Sequence, residues 1–244
     1  IREKGGEIRI KSKLVSVKKD GNELVLFTGH DEYRTKFIVN CAGLQSDRIA
    51  KLFGVDPKLQ IIPFRGEYYR LKKEKEYLVK NLIYPVPDPQ FPFLGVHFTR
   101  MIKGGVEAGP NAVLAFKREG YKKTDFSFRD ILEMKLYPGF WKMAAKYYKM
   151  GFREFRRSFS KELFVKSLRK LIPEIQYEDI EVGGAGVRAQ ALERDGKLVD
   201  DFRIIEAERM VHVLNAPSPA ATASLSIGKT ISEMVIKRFN QEVK

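Results

Sequence analysis

Apolar residues in the first third of the chain alternate with polar ones or form short β-branched runs, which is the pattern of strands. Strands are predicted at 8–10, 14–17, 24–27, 33–41 and 59–71. Asp20-Gly21 is a hairpin turn between two of them, because both residues tolerate positive φ. The strand that ends at Cys41 is followed by Ala42-Gly43 and by a helix predicted over 45–53. A small antiparallel meander therefore leads into a buried strand and a strand-to-helix turn.

The rest of the chain mixes strands with helices. Strands are predicted at 93–99, 112–116 and 210–214, helices at 130–137, 140–150 and 160–172, and a glycine-rich turn at 182–188. Ser160 is the expected N-cap of the third helix. A last helix is predicted to start near Ser218, with a buried face at positions 221, 225, 228, 231, 235 and 239. Together these elements predict an α/β (α+β) fold.

Two loops of small residues follow predicted buried strands. They are Cys41-Ala42-Gly43 and Asn215-Ala216-Pro217-Ser218-Pro219-Ala220-Ala221. Ligands of open α/β sheets bind at the carboxyl ends of the strands, and a helix N-terminus attracts anions. An ordinary strand-to-helix turn is the alternative, but the density of small residues from 216 to 226 favours a ligand site.

The net charge of the 244-residue chain is +14, and it is unevenly distributed. Residues 117–170 hold 16 Lys/Arg and 6 Asp/Glu, a surplus of +10. This surplus indicates an anionic partner, such as a membrane surface, nucleic acid or an acidic protein, or else a solvated basic face. The aromatic residues of this region fit core positions better than base stacking, so nucleic acid is the less favoured partner; they are Phe140, Trp141, Tyr147 and Tyr148.

Cys41 is the only cysteine, which favours a reducing compartment such as the cytoplasm. No apolar run approaches the length of a membrane-spanning helix, so any membrane contact is expected to be peripheral, at the inner face.

Six short motifs occur in order along the chain. They are Asn40-Cys41-Ala42-Gly43, Arg65-Gly66-Glu67-Tyr68, Leu94-Gly95-Val96-His97-Phe98-Thr99, Gly109-Pro110-Asn111-Ala112, Gly186-Val187-Arg188-Ala189-Gln190 and Asn215-Ala216-Pro217-Ser218-Pro219-Ala220-Ala221-Thr222. Together they resemble the L-2-hydroxyglutarate dehydrogenase/oxidase branch of the D-amino-acid-oxidase-like FAD-dependent oxidoreductases.

The resemblance implies FAD as cofactor and two lobes. Residues 1–62 and 180–244 would form a partial Rossmann-type FAD-binding lobe, and residues 63–179 a mostly antiparallel substrate domain with basic helices. It also implies a set of FAD-binding residues: Val15, Cys41, Ala42, Gly43, Gly186, Val187, Arg188, Asn215, Pro217, Ser218, Pro219, Ala220 and Ala221.

One feature of the family is missing. The G-x-G-x-x-G turn that holds the FAD pyrophosphate does not occur before a helix in this chain. The chain also opens with Arg2-Glu3-Lys4-Gly5-Gly6, which reads as the end of a helix. We therefore expect a missing upstream segment, a separate polypeptide that supplies it, or a degraded gene.

Oxidation of a 2-hydroxy acid requires a base for the hydroxyl proton, and histidine suits that role at neutral pH. Of the three histidines, His30 lies in a polar loop and His212 in a buried strand, so His97 is the candidate. Arg188 follows a glycine-rich turn that the resemblance implies to lie beside the flavin, and its guanidinium can bind a carboxylate in a bidentate manner, so it is the candidate substrate clamp, with a surface ion pair as the alternative. A second carboxylate would be bound by Arg65, Tyr68 or Thr99.

Two other functions remain open from the sequence. An amine or amino-acid oxidase of the same fold would not need the histidine base. A non-enzymatic module would bind its partner through the basic helices.

Overall fold

The computed structural model describes residues 1–86, 95–217 and 219–242. Its strands are β1 (Leu14–Asp20), β2 (Glu23–Thr28), β3 (Glu32–Thr35), β4 (Ile38–Asn40), β5 (Leu59–Leu71), β6 (His97–Arg100), β7 (Val106–Leu114), β8 (Ile180–Glu193), β9 (Arg203–Ala207) and β10 (Met210–Asn215). Its α-helices are α1 (Ser46–Leu52), α2 (Phe128–Leu136), α3 (Pro138–Phe159), α4 (Lys161–Leu168) and α5 (Ser224–Glu242). The fold is α/β.

The chain divides into two compact units. Unit 1 comprises residues 1–58 and 199–244, and unit 2 comprises residues 59–198. None of the helices in the described ranges is long and apolar enough to cross a membrane.

Unit 1 begins with the antiparallel meander β1-β2-β3. Gly21, at φ 56°, makes the predicted turn between β1 and β2. Residues 8–10 are not a strand, and the strand predicted over 33–41 is divided into β3 and β4. Thr35 causes the division, because its hydroxyl donates to the carbonyl of Phe37 and accepts from the Phe37 N–H. Such local side-chain bonds compete with a continuous ladder.

A second sheet of unit 1 has the strand order β4-β10-β9. Its central strand β10 runs parallel to β4 and antiparallel to β9, and all of its residues are buried. The strands predicted around Cys41 and over 210–214 therefore lie side by side. Their carboxyl ends meet at one edge of the sheet, and α1 comes after β4 in the sequence.

The last helix differs from the prediction in both its start and its buried face. It begins at Ser224, not near Ser218, because residues 219–223 form turns. None of its described side chains is fully buried, and Leu225 is 90% exposed. Near its end, the helix contacts the rest of unit 1 through the ring pair Phe37–Phe239 and through the Arg238 guanidinium, which donates to the carbonyl of Ala207.

Unit 2 is built on an antiparallel sheet of order β6-β7-β5-β8. Strand β5 has the predicted bounds, since apolar and aromatic residues recur from Leu59 to Leu71 and lysines flank the strand on both sides. The turn predicted over 182–188 is wrong, because this segment is part of β8 and pairs with β5 along its length. Glycine is needed here for close approach: a Cβ on Gly183 would lie 2.9 Å from the carbonyl oxygen of Tyr68.

The pairing of β8 also changes the division of the chain. Residues 180–198 were predicted to be part of the FAD lobe, but they belong to unit 2. The reason is the ladder between β5 and β8, which runs from the pair Leu59 and Glu193 to the pair Leu71 and Ile180.

Three helices cover the sheet of unit 2. Helix α3 is one continuous helix to residue 159, although the sequence predicted an end at 150. Ser160 caps α4 as predicted, with its hydroxyl accepting from the Leu163 N–H at 3.3 Å. The fully buried Phe164 and Leu168 of α4 pack with Phe98 and other sheet residues in one core cluster.

The aromatic residues of α3 are divided between core and surface. Phe140 and Tyr147 pack against the cluster around Ile62, as predicted. Trp141 and Tyr148 are exposed, which corrects their assignment to the core. The helix is amphipathic, but its outer face is also aromatic.

Candidate active site

The candidate site of unit 1 is the turn that follows β4. Cys41, Ala42 and Gly43 are all exposed there, and Gly43 has φ 53°, in the left-handed region that favours glycine. The turn is shaped by Asn40, whose side-chain oxygen accepts from the Ala42 N–H at 3.1 Å and whose amide donates to the carbonyl of Ser46 at 2.9 Å. The backbone of this turn is therefore exposed, and the side chains of the three residues are small or absent.

His212 lies behind this turn and is fully buried. Because the Asn40 amide is fixed by its other bonds, it donates to Nδ1 of His212 at 3.0 Å. The proton of His212 is then on Nε2, which is buried and has no hydrogen-bond partner in the described residues. Burial lowers the pKa of His212, so the ring stays neutral. The placement agrees with the expectation of a core histidine.

The loop after β10 is held by Asn215. Its buried amide donates to the carbonyl of Asp201 at 2.7 Å and to that of Val199 at 3.4 Å. Pro217 is partly buried, whereas Ser218 lies outside the described residues. The turns over 219–223, with Pro219, Ala220 and Ala221, replace the predicted first turn of the helix. The N-terminus of α5 is therefore not at the loop itself.

The residues of unit 1 fit the close approach of a flat or diphosphate-bearing cofactor. Ala42 and Gly43 leave the backbone uncovered, and a Cβ on Gly43 would meet nothing within 4 Å. Burial raises the pKa of the Cys41 thiol, so it adds no negative charge to the turn. Val15 lies elsewhere, in the meander strand β1, where its side chain is 59% exposed.

The candidate site of unit 2 centres on His97, in edge strand β6. The ring stacks on Tyr84, with 4.2 Å between centroids and 17° between planes. Its Nδ1 lies 3.3 Å from the carbonyl oxygen of Gly95, which can only accept, so Nδ1 carries the proton and Nε2 can accept one. Burial lowers the pKa of His97, although the bond to Gly95 opposes this effect. The neutral ring is thereby favoured.

Tyr68 and Arg188 lie in the same region of the sheet. Tyr68 is at an irregularity in the pairing of β5 with both neighbouring strands, and such bulges redirect side chains. A Cβ on Gly109, the residue paired with His97, would lie 3.2 Å from the Tyr68 ring. Burial is the main cause that raises the pKa of Tyr68, followed by the charge of Glu107, while the charge of Arg188 opposes both. Arg188 as a whole is exposed to solvent, although partial burial of its guanidinium lowers the pKa of Arg188.

Thr99 lies in the same region, together with Tyr84 and Glu107, which were not predicted as site residues. Thr99 pairs with Glu107 across β6 and β7, and its hydroxyl forms a 3.4 Å hydrogen bond with that of Tyr84. Tyr84 directly precedes Pro85, between the strands predicted at 59–71 and 93–99, where the sequence predicts no strand or helix. Its stacking on His97 depends on tertiary structure, and no local pattern signals it. We call His97, Tyr68, Tyr84, Thr99, Glu107 and Arg188 the β-sheet cluster.

Arg65 is not part of the β-sheet cluster, which corrects its assignment to substrate binding. It is 4% exposed, and its guanidinium donates twice to Oε1 of Glu67, at 3.0 and 2.8 Å. The other oxygen of Glu67 accepts from the hydroxyl of Ser158 at 2.6 Å and from the amide of Asn111 at 3.2 Å. A third donor bond of Arg65 ends on the carbonyl of Lys122. This network joins the sheet to the end of α3.

Gly186 and Val187 lie within β8 and precede Arg188. Gly186 pairs with Gly66 of β5, and a Cβ on it would meet nothing within 4 Å. The predicted FAD contacts of this segment would therefore come from an open stretch of strand instead of a turn.

Comparison with known proteins defines the class. The family model "FAD dependent oxidoreductase" matches residues 1–234, and the chain belongs to this family. The solved structure of the L-alpha-glycerophosphate oxidase of Mycoplasma pneumoniae, with FAD bound, has the same fold: the TM-score is 0.66 at 17% identity, with 92% of this chain and 50% of that chain covered.

Curated relatives of similar sequence share one name. The chain is 57% identical over 236 residues to the L-2-hydroxyglutarate dehydrogenase of Indibacter alkaliphilus, covering 96% of this chain and 59% of the relative. It is 51% identical over 218 residues to the human mitochondrial L-2-hydroxyglutarate dehydrogenase (87% and 47%), and 45% identical over 233 residues to that of Escherichia coli K12 (95% and 55%). The chain thus spans about half the length of the relatives it matches.

Proposed function

We propose that this chain is part of an FAD-dependent dehydrogenase or oxidase that converts L-2-hydroxyglutarate to 2-oxoglutarate. The observation that carries the proposal is the β-sheet cluster, in which a neutral histidine with a free Nε2 acceptor lies in one sheet with an exposed arginine. Relatives at 45–57% identity that are named for this substrate support it.

His97 acts as the base in this proposal. Its Nδ1–H is held by the carbonyl of Gly95, so Nε2 can accept the proton of the substrate hydroxyl. Removal of the hydroxyl proton assists loss of the hydrogen from the carbon that bears the hydroxyl. The bound FAD supplies a ring system that accepts this hydrogen as a hydride.

Arg188 binds the carboxylate next to the reacting carbon, because its planar guanidinium matches two carboxylate oxygens. Tyr68 and Thr99 offer hydroxyl donors for the second carboxylate. The raised pKa of Tyr68 keeps its hydroxyl protonated, so it remains a donor throughout the neutral range.

We assign the binding of FAD in unit 1 to Cys41, Ala42 and Gly43 and to the loop after β10, with Val15, Gly186 and Val187 as further contacts implied by the family. A G-x-G-x-x-G cradle for the pyrophosphate does not occur before a helix among the 244 residues. A segment outside them, on the same or a separate polypeptide, is proposed to supply it.

The test is anaerobic reduction of the flavin-loaded protein, which is measured as loss of the flavin absorbance. L-2-hydroxyglutarate is expected to bleach the flavin, and D-2-hydroxyglutarate is expected to leave it oxidised. Rapid bleaching by an amino acid or amine instead would favour the alternative oxidase chemistry and contradict the proposal.

We further propose that the protein works at the inner face of an anionic membrane. The support is the surplus of +10 charges over residues 117–170. This peripheral association does not require a membrane-spanning helix.

A further inference from the structure

Helix α3 has two faces that both carry apolar groups. One face packs on the rest of unit 2 through its buried residues, among them Gly139 and Met143. The other face exposes an aromatic stripe, defined as Trp141, Tyr148, Phe152 and Phe159, whose members are between 56% and 74% exposed. Their spacings of seven, four and seven residues return to the same side of an α-helix. Exposed aromatic residues aligned in this way mark an interaction surface.

Positive charge flanks the aromatic stripe on one side. At about 100° per residue, the five basic residues that follow the stripe around the helix all fall on its same flank. They are Lys142, Lys146, Lys149, Arg153 and Arg156. The only acidic residue of the helix, Glu154, is buried on the opposite face, where it pairs with Arg157 and accepts from the Ala112 N–H. The outer face of α3 therefore carries rings and cations but no carboxylate.

An open groove of about 540 Å³ lies at the C-terminal end of this face. Its apolar lining includes Phe152, Phe155 and Phe159, with Leu163 from α4, and its charged lining residues are Arg156 and Glu162. The groove is continuous with the stripe because Phe152 and Phe159 belong to both. A space of this size and lining suits an acyl chain whose headgroup contacts the arginine.

The neighbouring helix adds further exposed apolar residues. Phe128, Leu132 and Leu136 of α2 are exposed and lie four residues apart, so they share one side of that helix. The helices are linked where the Trp141 indole donates to the carbonyl of Lys135 at 2.8 Å.

We propose that the outer face of α3 is the surface that docks on an anionic lipid bilayer, with the helix lying in the plane of the interface. The inference rests on the proposed membrane association and names the residues that produce it. Rings beside cations suit this interface, because the rings enter the acyl boundary while the ammonium and guanidinium groups stay at the headgroups. A nucleic acid would neutralise the cations but leave the four rings in water.

The sequence offers a direct probe of this docking. Trp141 is the only tryptophan among the 244 residues, so the tryptophan emission of this chain reports on the stripe alone. We expect its emission to shift to shorter wavelength when vesicles containing phosphatidylglycerol are added, and to be quenched by brominated acyl chains. Neutral phosphatidylcholine vesicles should give neither effect, and salt at about 0.5 M, where the Debye length is only a few ångströms, should reverse both.

Two sets of variants separate the contributions. Replacing Lys146, Lys149 and Arg153 with Gln should lower the partition coefficient about 100-fold, since each basic residue contributes about fivefold. The matched control replaces Lys72, Lys73 and Lys80, exposed lysines of the same unit, and should change it little. Replacing Phe152 and Phe159 with Ser should abolish binding at low salt, whereas Tyr77→Ser, another exposed ring, should not. Unfolding curves verify that each variant is folded.

The outcomes distinguish this inference from the membrane association on which it rests. If the protein sediments with anionic vesicles while Trp141 emission and the α3 variants are unaffected, the surface assignment is wrong and the association stands. If it does not bind anionic vesicles at all, both are wrong. Equal binding to neutral vesicles, a Trp141 shift caused by duplex DNA, or burial of Trp141 by self-association without lipid would each overturn the inference.

Discussion

Units 1 and 2 offer different kinds of contact to a ligand. Unit 1 presents backbone, in the exposed turn of Cys41, Ala42 and Gly43, and its polar side chains Asn40 and His212 are buried behind it. Unit 2 presents side chains, in the β-sheet cluster, on strands whose own ladder fixes their spacing. The difference predicts a division of labour, in which unit 1 changes affect cofactor affinity and unit 2 changes affect substrate binding and turnover.

The largest expected effect is that of His97→Ala. Removal of a general base lowers the rate by about 10²–10⁴-fold, so kcat should fall by that factor while FAD affinity stays the same. Steady-state turnover and flavin titration measure the two quantities. His30→Ala, at an exposed histidine of unit 1, is the matched control and should remain fully active.

The pH profile sharpens this prediction. The base must be neutral, and burial lowers the pKa of His97 below its ordinary value of about 6.5. Activity should therefore be retained as the pH falls to 6.5 and be lost only below the lowered pKa. A limb centred above 6.5 that remains in His97→Ala would assign the proton transfer to another group.

The next effect concerns stability and not turnover. Arg65→Met removes the guanidinium that donates twice to the buried Glu67 carboxylate and leaves Lys123, 3.5 Å from its other oxygen, as the remaining cation. The free energy of unfolding should therefore fall by about 3 kcal/mol, the low end for breaking a buried ion pair. Arg129→Met is the matched control, because its pair with Glu133 is on the surface and contributes less than about 1 kcal/mol. Urea unfolding of both variants measures the difference; equal losses would show that the Arg65 network does not stabilise unit 2.

A smaller effect is expected in unit 1. Gly43→Ala strains the backbone at φ 53°, which costs about 1–2 kcal/mol in the left-handed region. The free turn relaxes to relieve this strain and must regain its shape to contact the cofactor, so FAD affinity should fall about tenfold. Gly54→Ala has the same strain, at φ 77° with nothing within 4 Å, but follows α1 instead of the turn. Flavin titration of the two variants compares them, and an equal loss of affinity in both would remove the special role of the turn.

The smallest effect is that of the ring beside His97. Tyr84→Leu removes the stacking, worth about 0.5–1.5 kcal/mol, and should lower kcat/KM several-fold. Tyr84→Phe keeps the ring and should restore most of the loss, since the hydroxyl contributes only the long bond to Thr99. If Phe and Leu behave alike, Tyr84 does not position the histidine through its ring.

Some of this architecture could be predicted from the sequence because it is local. The bounds of β5 follow from the apolar and aromatic residues that recur between Leu59 and Leu71, and the cap Ser160 from its own side chain. Strand β8 was missed because Gly183, Gly184 and Gly186 indicate a turn unless the partner strand is known.

The parts of the site that could not be predicted depend on tertiary register. The irregularity in the pairing of β5 and the residues packed on each face decide whether the side chain of Arg65 or that of Tyr68 is accessible. The motif that contains these two residues shows neither the irregularity nor the packing. The buried face of α5 was predicted from periodicity alone, yet Leu225 is exposed. Periodicity identifies an apolar stripe on a helix, but it does not show whether another element packs against that stripe.

We propose that a carboxylate substrate is held by Arg188 and not by Arg65. The direct measurement is the substrate concentration dependence of anaerobic flavin reduction by L-2-hydroxyglutarate in Arg188→Lys and Arg65→Lys, each with its unfolding curve. We predict that Arg188→Lys weakens the apparent substrate affinity about 10²-fold at unchanged stability, since the bidentate contact is lost, whereas Arg65→Lys lowers stability and leaves the affinity of the folded protein unchanged. Weakened substrate affinity in Arg65→Lys, with Arg188→Lys unaffected, would contradict the claim.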